Sequence, residues 1–281
     1  REQGKRGGKG KADHGRAPAQ NAQHSAQARH RKRPEVMPRW QARRKSGTIW
    51  HRWNGVAMPL PCVENLTAPN PRHAVIWLHG LGADGNDFAP IVPQLVDPAW
   101  PALRFVFPHA PVRPITINGG MAIRAWYDIS GMEIAQRQDE AGIRASIGLL
   151  EELIAREGER GVPPKRVLLA GFSQGGAVTL STGLARKSPL AGLIALSTYL
   201  PMTAEQAQAA LHPEANSQPL FMAHGLFDPV VPAAAGDASM KTMRALGFGV
   251  DWHHYPMQHQ VCGEEIADLA DWMTARLATA G

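Results

Sequence analysis

Cysteine is scarce in this chain: the 281 residues include only Cys62 and Cys262, too few for a disulfide framework or a four-thiolate zinc site. That poverty suits a reducing compartment, and a cytoplasmic location is the expectation. No run of residues approaches the 18 consecutive apolar positions that a membrane-spanning helix needs. Charge is sparse as well, at 19% of residues against 44% hydrophobic, which excludes a disordered polyelectrolyte for the bulk of the chain. The net charge of +6 is unevenly held. Residues 1–47 carry 14 Lys/Arg against Glu2, Asp13 and Glu35, a balance of +11, whereas residues 48–281 carry 16 against 21, a balance of −5.

The basic stretch is poor in aliphatic residues from Arg1 to about Arg33, so it has little apolar surface to offset the entropy of being ordered. It has no apolar core of the kind a secretory signal requires, and no hydrophobic run follows Arg43-Arg44. A polybasic arm for nucleic acid or an anionic membrane is one reading. A disordered extension is the other, and the composition favours it. Residues 1–57 are therefore expected to be a disordered basic tail, with Met58 placed to begin a folded domain over 58–281.

Past residue 60, short apolar runs alternate with longer helix-patterned segments. Strands are expected at 74–78, 103–107, 167–170, 193–196, 220–223 and 250–255, and helices at about 137–158, 175–187, 203–211, 236–246 and 263–278. Continuous apolar strands alternating with helices indicate a mostly parallel sheet covered on both faces, a single α/β domain.

The chemistry-bearing residues fall at the ends of these strands, where such a sheet places its ligands. Gly171-Phe172-Ser173-Gln174-Gly175 follows one strand and opens a helix, which is the G-x-S-x-G nucleophile elbow in the context it requires. A serine nucleophile needs a base, and the base needs an acid to orient it; on this topology they follow in the order Ser, Asp or Glu, His. Asp228 lies in the turn after 220–223, and His259 in the loop after 250–255. Asp237 falls in helix-patterned sequence and Asp251 begins a strand, so both are weaker candidates for the acid. His253 and His254 lie within a strand and are expected to be structural, and His224 to bond within its turn or pack it. An oxyanion hole is expected from the Gln174 N–H and from the Leu81 N–H in the glycine-rich loop His79–Asp87. That loop fits neither the dinucleotide fingerprint nor a P-loop, which argues against a nucleotide site. The mechanism calls for no metal and no cofactor; the adjacent His253 and His254 point to opposite faces of a strand and cannot share an ion.

Taken together, His79–Asp87 (HGLGADGND), Trp126-Tyr127-Asp128, Gly171–Gly176 (GFSQGG), His224-Gly225 with Asp228, and Met257 with His259 resemble the phospholipase/carboxylesterase family. Its eukaryotic branch holds the acyl-protein thioesterases and its bacterial branch the small carboxylesterases. The resemblance runs in order from about Ala74 to the C-terminus and has no counterpart before residue 58. It implies an α/β-hydrolase fold without a large cap domain, a triad of Ser173, Asp228 and His259, and oxyanion donors Leu81 and Gln174. It implies hydrolysis of small-molecule carboxylic esters, with thioesters and lysophospholipids left open. It also puts Trp126 beside the substrate cleft, as a binding residue or as a core aromatic behind it. Residues 108–134, with Ile115, Ile117, Met121, Ile123 and Trp126, are expected to wall an open acyl groove or to pack the core. No obligatory nucleic-acid or membrane partner is expected, and a homodimer is left open. Two alternatives stay in view: an acyltransferase or peptidase on the same fold, and a protein whose tail binds nucleic acid or membrane.

Overall fold

The computed structural model describes residues 49–53, 56–131 and 139–278, with side chains from residue 60. The basic tail before residue 49, and the readings that rest on it, lie outside the described residues, as do the first two positions of the helix expected from 137.

In chain order, β1 (Ile49–Trp53) and β2 (Val56–Leu60) pair as an antiparallel ribbon, in which Ile49 faces Leu60. The expected tail boundary at residues 57/58 falls inside it. Then come β3 (Cys62–Leu66), β4 (His73–Leu78), the one-turn helix α1 (Val92–Leu95) and β5 (Leu103–Pro108). A second antiparallel ribbon follows, β6 (Val112–Ile115) with β7 (Met121–Arg124). The rest alternates: α2 (Glu140–Glu159), β8 (Val167–Phe172), α3 (Gln174–Ala185), β9 (Gly192–Leu196), α4 (Ala204–Ala210), β10 (Leu220–Gly225), α5 (Ala233–Ala245), β11 (Val250–Tyr255) and α6 (Gly263–Ala278).

Seven strands make one sheet in the order β11-β10-β9-β8-β4-β5-β3. Every pairing is parallel except β3 on β5. The uninterrupted apolar runs follow from burial on both faces. Along β4, Ala74, Ile76 and Leu78 enter one core with α2, α3 and α5, while Val75 and Trp77 enter the other with α1 and α6. Along β10, Leu220 and Met222 join the first core, and Phe221 and Ala223 the second. Each Val, Leu, Ile, Phe or Met among them, taken fully out of water, contributes about 1.5–3 kcal/mol.

The expected strands and helices are all present, shifted by up to three residues at their ends. The pattern missed both two-stranded ribbons, the short α1 and β3, the antiparallel strand at one edge of the sheet. An ionic cluster fastens it: Arg156 and Arg160 both reach Glu64, the latter at 3.0 Å, while Arg104 and Arg160 hold the buried Glu157 at 2.6 and 2.9 Å.

Topology sets the site. From β4 the chain first goes to β5 on one side, then returns through α2 to β8 on the other. The strand order reverses between β4 and β8, and ligands bind at the carboxyl ends of the strands at such a switch point.

Candidate active site

β8 ends in the elbow. Ser173 sits between strand and helix at φ 53°, ψ −121°, a conformation that β-carbon-bearing residues rarely adopt. It persists because its surroundings hold it: the Ser173 N–H donates to the Leu196 carbonyl at 2.9 Å, and the Thr198 hydroxyl donates to the Ser173 carbonyl at 2.6 Å. The flanking glycines are steric necessities. A β-carbon on Gly171 would overlap the Gly175 carbonyl, and one on Gly175 would lie 2.6 Å from the Leu78 carbonyl oxygen.

The candidate base and acid arrive from the ends of β11 and β10. His259, in the loop after β11, places Nε2 2.9 Å from Ser173 Oγ and Nδ1 2.7 Å from Asp228 Oδ2. Asp228, in the turn after β10, has a fully buried side chain whose Oδ1 accepts the Val230 and Val231 N–H groups, each at 2.8 Å. The structure therefore brings Ser173, His259 and Asp228 into one hydrogen-bonded chain. The other candidates are engaged elsewhere: His253 lies 3.0 Å from Asp251 and stacks on Phe221, and His254 is 3.3 Å from Asp237. His224 lies one step behind Asp228, buried, with Nε2 2.9 Å from the Val231 carbonyl.

The loop after β4 packs against Ser173: a β-carbon built on Gly80 would stand 3.4 Å from Ser173 Cβ. His79 orients that loop. Its Nε2 accepts the Ala110 N–H at 3.0 Å, so its Nδ1 carries the proton and donates to the Gly80 carbonyl at 2.7 Å. Burial pushes its pKa down to about 4, keeping it neutral, with the Gly80 carbonyl pulling weakly the other way. In a trans peptide the C=O and N–H point in opposite directions. With the Gly80 carbonyl drawn to the His79 ring, the Leu81 N–H is turned to the other side. The Gln174 backbone N–H is at the first turn of α3, where helix N–H groups have no intrahelical acceptor. Its side chain is a brace: Gln174 Oε1 accepts the Trp126 N–H, and Nε2 donates to the Tyr127 carbonyl, both at 2.8 Å.

Trp126 requires a correction. Expected beside the substrate, it is fully covered, its indole N–H donating to the His79 carbonyl at 2.9 Å and its carbonyl accepting from Ser146. It supports the glycine-rich loop from behind and offers no surface to a ligand. Its neighbours are likewise structural: Tyr127 bonds Tyr199 hydroxyl to hydroxyl at 2.8 Å, and Asp128 takes both the N–H and the hydroxyl of Thr116. Ile115 is also buried, while Met121 and Ile117 are exposed on and beside the β6–β7 ribbon.

Sequence reasoning missed the cavity that opens beside His259. It measures about 470 Å³ and is lined by Phe88, Ile91, Phe172, Val261, Cys262 and Ile266 among others. Its side chains come from three separate stretches of chain; Asp87, Phe172 and His259 lay in recognised motifs, whereas the apolar Phe88, Ile91, Val261, Cys262 and Ile266 did not. The Phe172 ring lies tilted against its neighbours, 4.7 Å from the His259 ring and 5.3 Å from Phe88.

The model of the phospholipase/carboxylesterase family matches residues 62–277. Acyl-protein thioesterase 1 of Neurospora crassa is 39% identical over 231 residues, covering 78% of this chain and 90% of that protein. Its namesake in Yarrowia lipolytica is 37% identical over 225 residues, covering 76% and 96%. Among solved structures, Arabidopsis thaliana SOBER1 superposes with a TM-score of 0.69 at 29% identity, covering 73% of this chain and 99% of its own. Zea mays acyl-protein thioesterase 2 gives 0.67 at 26% identity, covering 76% and 98%.

Proposed function

The chain belongs to the phospholipase/carboxylesterase family, and from that premise we propose that its hydrolysis of esters and thioesters runs through an acyl-enzyme on Ser173. The fold is that of the α/β-hydrolases, and the protein is a serine hydrolase acting on small-molecule esters or thioesters. One observation carries the assignment of residues: the unbroken hydrogen-bonded chain Asp228–His259–Ser173, at 2.7 and 2.9 Å, ending on a serine held in the strained elbow.

His259 takes the Ser173 proton at Nε2 as Oγ attacks the acyl carbon, and Asp228 fixes the Nδ1–H tautomer and stabilises the imidazolium. The Leu81 and Gln174 N–H groups receive the oxyanion. Each such donor is worth about 2.7–4 kcal/mol of barrier, and the two are carried by adjacent strands, β4 and β8. His259 then passes its proton to the departing alkoxide or thiolate, and the same base activates the water that deacylates Ser173. The cavity bounded by Phe88, Ile91, Phe172 and Val261 takes the acyl chain, where each buried methylene contributes about 0.8 kcal/mol. A cytoplasmic setting suits a domain whose two cysteines are both free.

A panel of p-nitrophenyl esters, acyl-thioesters and peptides, run on the wild type and on Ser173→Ala, tests this reading. Ester and thioester turnover that vanishes with Ser173 supports it. Full turnover without Ser173, or preferential cleavage of peptides, overturns it.

A further inference from the structure

Asp228 is held by a turn, and that turn is itself held by a residue the reaction does not use. The two N–H groups that fix Asp228 Oδ1 belong to Val230 and Val231. Val231 is pinned in turn on its other side, its carbonyl accepting from His224 Nε2 at 2.9 Å, and the same nitrogen stands 3.4 Å from Asp228 Oδ2, the oxygen that receives His259. A carbonyl can only accept, so Nε2 carries the proton. His224 Nδ1 is therefore bare; it has no hydrogen-bond partner among the described residues and is pressed against α5 at Gly236, where an added β-carbon would overlap it. The ring is wholly buried on β10, four residues before Asp228.

We propose that His224 is a positioning residue for the catalytic carboxylate, its neutral Nε2–H clamping the 228–231 turn so that Asp228 meets His259 in a single orientation. The inference rests on the reading of Ser173, His259 and Asp228 as the triad. Without the clamp, the Val230 and Val231 N–H groups lose their fixed direction and the carboxylate is free to swing. Misplacement on the scale of 1 Å in such a constellation costs on the order of 10²-fold in rate. The charged and titratable groups around the ring are Asp228 in its own turn, His259 from the loop after β11, and His254 on β11, which faces Asp237 of α5. Burial holds the His224 pKa below its ordinary value, with the Val231 carbonyl and Asp228 pulling the other way.

The test compares His224→Phe, which keeps an aromatic ring and removes the donor, with His224→Gln, whose amide nitrogen reaches the place of Nε2. Ester hydrolysis is followed from pH 5 to 9, with Ser173→Ala alongside. His224→Phe should lower kcat on the order of 10²-fold with KM little changed. Its acid limb should move to lower pH, because a carboxylate that no longer faces His259 stabilises the imidazolium less. His224→Gln should recover most of the rate and return the limb to its place. If His224→Phe does not fold, Gly236→Ala provides the same information from α5, since its β-carbon drives the ring off the Val231 carbonyl. A wild-type acid limb in the variant that folds overturns the proposal, and so does a His224→Gln no faster than His224→Phe. A Ser173→Ala enzyme that still turns over would instead sink the triad reading itself.

Discussion

Glu265 should give the protein a stability that falls as pH rises. It lies in the first turn of α6, 1% exposed, and neither carboxylate oxygen makes a well-formed hydrogen bond among the described residues. Burial without a counter-charge raises its pKa to about 8, against 4.5 for the free side chain, with the Cys262 backbone N–H pulling weakly the other way. Below pH 4.5 both the folded and unfolded chains hold the proton, and its contribution to stability is fully present. Between pH 4.5 and 8 only the folded chain holds it, so stability declines by about 1.36 kcal/mol per unit. Across the interval the loss approaches about 5 kcal/mol, and beyond pH 8 it stops growing. Glu265→Gln keeps the shape and removes the titration. Thermal or urea unfolding of both proteins should be run at pH 5 and at pH 8.5. At pH 5 the glutamine should be equal or slightly worse, because a buried amide without partners costs about 1–3 kcal/mol. Between the two pH values the variant should gain several kcal/mol on the wild type, on the order of 10 °C in relative Tm at about 2–4 °C per kcal/mol. Parallel stability curves for the two proteins would refute the reasoning.

The remaining expectations concern the site. Ser173→Ala and His259→Ala should each drop kcat on the order of 10⁶-fold and Asp228→Ala on the order of 10⁴-fold, with the double Ser173/His259 variant hardly worse than either single one in steady-state assays. Gly175→Ala places its β-carbon 2.6 Å from the Leu78 carbonyl oxygen; it should lose about 1–3 kcal/mol of stability by calorimetry and most of its activity. Trp126→Ala should cost about 3–5 kcal/mol of stability and slow acetate and octanoate esters alike, because the indole supports the loop from inside; a loss confined to octanoate would return Trp126 to the acyl groove. Val261→Trp, filling the cavity beside His259, should do the reverse, slowing octanoate esters more than acetate in kcat/KM.

Much of this was legible in the sequence, for identifiable reasons. An elbow serine needs glycines on both sides, so its position is written in Gly171 and Gly175. Strands buried on both faces announce themselves as unbroken apolar runs, and the strand order fixes where an acid and a base must fall, hence Asp228 and His259. Illegible features were those decided by three-dimensional packing alone. β3 carries an acid, Glu64, satisfied by arginines more than 90 positions away in the chain. Glu264 and Glu265 look alike as acids at a helix start, yet only one is buried. Trp126 could equally have faced ligand or core, since a tryptophan in a motif states its importance and not its direction. The groove residues Phe88 and Val261 are separated by most of the chain and meet only because α1 and α6 cover the same face of the sheet.

The reactive groups are mounted on unequal supports. Ser173, the proposed nucleophile, and the Leu81 and Gln174 N–H groups ride on β4 and β8, paired strands at the centre of the sheet, whereas Asp228 and His259 hang from turns after β10 and β11, at one edge. Edge strands and their turns open before the centre does when a sheet is loosened by heat. Gentle warming should therefore disarm the enzyme before it melts, leaving an elbow and oxyanion cradle still assembled around a serine without its base. Such a form is inert but intact, and on cooling it need only re-dock two turns to recover. Activity lost just below the melting temperature should accordingly return on cooling, as a reversible uncoupling of proton transfer from the rest of the site.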